Sequence, residues 1–140
     1  EAKIVSHNLI NKKLIKVDLD PTPHAIFSNP QVASVGYTEQ DAKAAEIQYV
    51  VAVEEYGDVA YGWAMEEKTG ICKVIADART GLLIGAHILG PQASTLIHQL
   101  IQGMKFGQTV AELASGFLYV HPALNEVVEN ALIKVAALCE

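Results

Sequence analysis

The apolar positions near the end of the chain fall at helical spacing. Leu124, Val127, Val128, Ala131, Leu132, Val135 and Leu138 recur at intervals of three and four, one face of a 3.6-residue helix. Pro122 suits the first position of that helix, because its φ is locked near the helical value and its missing N–H would be an orphan there. The helix is therefore predicted to start at residue 122. A second stripe, Leu96, Ile97, Leu100, Ile101 and Met104, predicts a helix after Pro91, and a shorter one follows Thr109 before the loop containing Gly116 and Tyr119. Thr38 is a good N-cap and opens a helix that runs to about Ala45. The opening run Ala2 to Asn11 also reads as helical.

Between these lie segments of a different character. Residues 24 to 27 and 32 to 36 read as short extended pieces, and residues 47 to 54 alternate or run apolar. Tyr56 to Glu67 is aromatic and glycine-bearing, and Gly70 to Ala76 and Leu82 to Leu89 read as two strands. Asp77-Ala78-Arg79-Thr80-Gly81 supplies the turn between them. Strands clustered centrally with helices around them predict an α+β sandwich, an antiparallel sheet with helices packed on it, rather than βαβ units around a parallel sheet. There is no internal repeat and no low-complexity tract.

Composition narrows the function. The 140 residues are 51% hydrophobic, enough chain to bury about two-thirds of its unfolded surface in a single core. A net charge of −6 and a pI near 5.3 give no basic patch for nucleic acid or an anionic membrane, so neither partner is expected. No apolar run reaches the roughly 20 residues of a membrane span and no signal-peptide pattern opens the chain, so it reads as cytoplasmic. Cys72 and Cys139 lack redox or zinc spacing and are expected to be free thiols.

The candidate chemistry is His121-Pro122 followed by Glu126. The proline holds His121 extended, and Glu126 falls in the early turns of the helix, where its dipole favours a carboxylate. Five residues of separation can bring the two side chains together. A carboxylate on one ring nitrogen would fix the tautomer and leave the other nitrogen to exchange protons. A histidine before a proline-started helix also serves as a simple cap or turn residue, and spacing leaves both roles open. His7, His24, His87 and His98 are scattered with no H-x3-H or H-E-x-x-H pattern, so no metal is expected; His87 reads as a core histidine and His98 as a solvent-facing one. Trp63, Tyr56 and Tyr61 sit among Glu54, Glu55, Asp58, Glu66 and Glu67, which suits packing or an interface rather than base stacking. No two glycines are spaced G-x-G, and no cysteines are spaced C-x4-C.

One family carries these features in the same order. Pro23-His24-Ala25-Ile26-Phe27-Ser28-Asn29-Pro30 is followed by Ala33-Ser34-Val35-Gly36-Tyr37-Thr38-Glu39 with Ala42. Gly70, Lys73-Val74, Gly85-Ala86-His87-Ile88-Leu89-Gly90, Pro91 and His121-Pro122 with Glu126 come next. Over nearly its full length the chain resembles the C-terminal dimerisation domain of pyridine nucleotide-disulfide oxidoreductases. The resemblance implies a homodimeric enzyme that binds FAD and NAD(P)H elsewhere in its chain and acts on a disulfide or dithiol substrate. It implies that His121, as a general acid-base, and Glu126, which orients it, enter the partner subunit's site. It implies further that the His121-Pro122 peptide is cis and that backbone there touches the partner's flavin. Under the same resemblance residues 1 to 11 are the tail of a preceding FAD-domain helix, residues 12 to 140 are the dimerisation domain, and the fragment alone is inactive and binds no cofactor. Ala123 and Asn125 stand where Thr and Ser are usual, and the motif is more similar to mycothiol-disulfide reductases than to dihydrolipoamide dehydrogenases. The retained His121 argues against the mercuric-reductase branch. The alternatives are a purely structural association module and a free-standing small-molecule binding domain.

Overall fold

A computed structural model of the chain describes residues 2–11 and 14–139. The boundary expected near residue 12 lies outside the described residues. Helix α1, Ala2–Ile10, buries none of its residues.

Five strands form one antiparallel sheet: β1 (His24–Ile26), β2 (Val32–Gly36), β3 (Tyr49–Glu55), β4 (Ile71–Asp77) and β5 (Leu83–Leu89), in the order β1-β2-β5-β4-β3. The β4–β5 hairpin closes where it was predicted. The Asp77 carboxylate accepts from the Arg79 N–H at 3.0 Å and the Thr80 N–H at 2.9 Å, the side-chain mimicry that makes aspartate a turn residue.

Alternation along the strands decides which face is covered. On β4, Cys72, Val74 and Ala76 lie opposite Ile88, Ala86 and Leu83 of β5, and all six are buried. Over this face pack α4 (Ala93–Lys105), with Leu96, Ile97 and Leu100 buried, and α6 (Glu126–Ala136), with Val127, Val128, Ala131, Leu132 and Val135 buried. Helix α5 (Val110–Ser115) lies beside α6. On the other face α2 (Glu39–Ala44) is the smaller cover, with Ala42 buried and Glu39 ion-paired to Lys73 of β4. Both α2 and α5 begin with full capping boxes, Thr38 with Asp41 and Thr109 with Glu112, each satisfying two orphan N–H groups.

The structure corrects the sequence reading in four places. The last helix begins at Glu126 rather than at residue 122. The N–H groups of Glu126 and Val127 bond three residues back, to Ala123 and Leu124, both at 3.2 Å, so residues 123 to 125 form a tight turn leading into the helix. Leu124 is buried by that turn, which is why it continued the apolar stripe. Leu138 is 54% exposed, since it follows the last helical turn and points off the core. His87 is half-buried on the face that α2 covers only partly, with Nε2 3.0 Å from the Tyr37 carbonyl. Tyr56 to Glu67 holds a short 3-10 turn, Tyr56–Asp58, and helix α3, Ala60–Ala64. Tyr56 is buried there, donating its hydroxyl to the Pro91 carbonyl at 3.0 Å. Gly62 lets α3 approach closely, because a Cβ on it would stand 1.9 Å from the Tyr56 carbonyl oxygen.

Candidate active site at the head of the last helix

His121 and Glu126 are brought together by the turn just described. His121 Nδ1 lies 2.6 Å from Glu126 Oε1, and the other carboxylate oxygen accepts the Ala123 N–H at 2.9 Å. Glu126 is the first residue of α6, where the positive end of the helix dipole stabilises a carboxylate. Its position is fixed from below by buried Leu124, Val127 and Val128. The His121-Pro122 peptide is cis.

Exposure separates the two side chains. The Glu126 side chain is 16% exposed and that of His121 is 71% exposed. Nε2 of His121 has no partner among the described residues. A held carboxylate thus orients an imidazole whose far nitrogen faces outward, the arrangement needed to hand a proton to a group brought in from outside.

The carboxyl of Glu126 is held below its usual 4.5, first by the hydrogen bond from His121 and then by the Ala123 N–H. Its folded value is the depressed one, so the pair contributes stability that is present above pH 4.5 and lost as pH falls through the lowered value. Glu126→Gln should therefore be less stable than the parent protein at neutral pH, and the difference should shrink as the pH is lowered below about 4.5. Chemical denaturation at a series of pH values reads this; a gap that stays constant down to acid pH would contradict it.

The surroundings add features that spacing did not reveal. A groove of about 520 Å³ lies between Pro122 and α3, lined by Asp58, Val59, Tyr61 and Trp63 among others. Only the aromatic composition of 56 to 67 hinted at it. On the approach to His121, Tyr119 is anchored by its hydroxyl to the Leu113 carbonyl at 3.0 Å, and burial pushes its pKa up to about 12. Phe117 stacks on Tyr119 at 4.7 Å, while Leu118 is 96% exposed and Val120 is exposed too. An anchored aromatic thus stands next to bare aliphatic side chains on this loop.

Residues 22–132 match the family model described as the pyridine nucleotide-disulphide oxidoreductase dimerisation domain. The chain belongs to that family. This dimerisation domain is 51% identical over 138 residues to a mycothione reductase of Mycobacterium tuberculosis, a match that covers 95% of this chain and 30% of that protein. It is 39% identical over 111 residues to a dihydrolipoyl dehydrogenase of Corynebacterium glutamicum, covering 78% and 24% of the two chains. The chain thus spans about 30% of the mycothione reductase it matches. Among solved structures, the HOCl-induced flavoprotein disulfide reductase RclA of Escherichia coli has the same fold, with a TM-score of 0.82 at 23% identity over 99% of this chain and 31% of that one. The α+β class and the antiparallel sheet expected from sequence are those of the family.

The remaining predicted residues sit apart. His98 is exposed on α4, and His24 and His87 lie on β1 and β5. Among the described residues no three His, Cys, Asp or Glu side chains gather as a metal site would need. No helix among them is long and apolar enough to cross a membrane. Cys72 and Cys139 are free; burial pushes the Cys72 thiol up to about 12, far from the thiolate form that reacts at neutral pH.

Proposed function

We propose that this domain forms the homodimer interface of a flavin-dependent disulfide oxidoreductase and supplies His121 and Glu126 to the disulfide site of the partner subunit. The observation that carries the reading is an outward-facing imidazole gripped at Nδ1 by a half-buried carboxylate, on a loop whose neighbours are bare and apolar. Within one chain such a histidine faces only solvent. Seated against a second copy, the same loop would bring Nε2 to the partner's reacting sulfurs.

The residues present fit the flavin only at the edge. The chain has no G-x-G turn to cradle phosphates, so FAD and NAD(P)H would be held by other parts of the enzyme, and this domain would offer the flavin the backbone at His121-Pro122. When bound, the two cofactors would supply the electron pair that reduces the redox disulfide. When a thiolate of the site attacks the substrate disulfide, the S–S bond breaks and the departing sulfur takes the electron pair and a proton from His121 Nε2. In the opposite direction Nε2 takes the proton from a substrate thiol. Glu126 holds the tautomer and balances the imidazolium.

The substrate favoured is mycothiol disulfide. The string His121-Pro122-Ala123-Leu124-Asn125-Glu126 resembles that branch, and the 51% identity to a mycothione reductase exceeds the 39% to a dihydrolipoyl dehydrogenase. A cytosolic setting agrees with the two unpaired cysteines. The test is His121→Gln in the full-length enzyme, read separately on reduction by NAD(P)H and on reoxidation by the disulfide. Selective loss of the second supports the proposal; unchanged turnover would make the domain a purely structural association module.

A further inference from the structure

Glu54 is 2% exposed and is the single charged side chain buried among the described residues. It lies on β3 opposite Cys72, on the sheet face that α6 covers. A carboxylate buried there is costly unless it is paired and hydrogen-bonded. Both of its partners come from α6: Asn130 Nδ2 donates to Oε1 at 3.1 Å, and the Lys134 ammonium pairs with Oε2, which has no other partner among the described residues. The Lys134 amine is held above its usual range by that carboxylate.

The need for such a grip follows from the helix itself. The residues α6 buries are Val127, Val128, Ala131, Leu132 and Val135, small or branched apolar groups that decide which face points inward. A stripe of similar residues defines the position along the helix axis less sharply than a directional polar contact does. Glu126, Asn130 and Lys134 are spaced four apart and share one edge of the helix. Asn130 is one turn, about 6 Å, from Glu126. Glu126 in turn has little latitude, since its two oxygens must reach His121 Nδ1 at 2.6 Å and the Ala123 N–H at 2.9 Å.

We propose that Glu54 is a positioning residue: by gripping Asn130 and Lys134 from inside the core it fixes α6 along its axis and so aims the carboxylate that orients His121. The inference rests on the proposed roles of His121 and Glu126. It is tested in the full-length enzyme with Glu54→Gln, which keeps the shape and the bond from Asn130 but loses the charge, and with Asn130→Ala, which leaves the ion pair intact and decides the matter if the first variant does not fold. Each should slow reoxidation by the disulfide about three- to tenfold, because small misplacements of a catalytic group have large kinetic effects, and leave reduction by NAD(P)H within about twofold. In a Glu126→Gln background Glu54→Gln should cost nothing further, since the two act through one path. A wild-type reoxidation rate, equal slowing of both half-reactions, or a full additional loss in the Glu126→Gln background would each overturn the inference. His121→Gln measured alongside separates the two levels: if it fails to slow reoxidation the functional reading itself falls, and if it slows reoxidation while Glu54→Gln does not, only the role of Glu54 falls.

Discussion

Replacing His121 by Gln is expected to lower the rate of the disulfide half-reaction by roughly 10²- to 10⁴-fold, the range over which a positioned acid-base group acts. Glutamine can still hydrogen-bond to Glu126, so the turn at residues 121 to 126 should survive. What it lacks is a ring nitrogen able to pass a proton to and from a sulfur. Reduction of the full-length enzyme by NAD(P)H should stay within about twofold, because under the proposed role His121 would act only where a sulfur leaves or loses its proton. Rapid-mixing absorbance of the two half-reactions separates these effects. Equal losses in both would show instead that His121 holds the dimer or the fold together.

The largest effect on stability should come from Leu132→Ala. Leu132 is fully buried where α6 meets the sheet, and Val128, Ala131 and Val135 around it are equally buried and shorter or branched, with little room to collapse into the space left. Truncation should therefore cost about 2–5 kcal/mol, lowering the thermal midpoint by roughly 10 °C in a domain of this size. Leu138→Ala is the internal control. Its side chain is 54% exposed, and its loss should change stability by about 0.5 kcal/mol or less. Urea denaturation of both variants checks the contrast; similar losses at the two positions would mean that the last helix extends further onto the core than residues 126 to 136.

The sheet and most helices were legible because their signals are local. Thr38 and Thr109 announced helix starts through capping chemistry that the structure contains in full, and Asp77 announced the hairpin by its own turn bonds. The start of α6 was not legible. Leu124 is buried from the turn rather than from the helix, so the apolar stripe runs past the true boundary, and Pro122 is compatible with a first helical position that it does not occupy. Helix α3 leaves no legible pattern because a five-residue helix hardly completes one period, and its place depends on Gly62 lying against the Tyr56 backbone. At the site, five-residue spacing was enough to anticipate the His121–Glu126 contact. Glu54 gave no signal at all, since its partners are 76 residues away in the case of Asn130 and only folding brings them together.

Whether His121 would serve the other subunit, as proposed, is decided by a mixed dimer. In the full-length enzyme, one subunit would carry His121→Gln with the redox cysteines proposed to lie outside this domain intact, and the other would carry wild-type His121 with those cysteines changed to serine. If His121 acts across the interface, the first subunit's cysteines and the second subunit's imidazole assemble one complete site, and the mixed dimer should recover about half of wild-type disulfide turnover while each parent homodimer is nearly inactive. A mixed dimer no more active than its parents would contradict the account, for it would place the working histidine in the same subunit as the cysteines it serves.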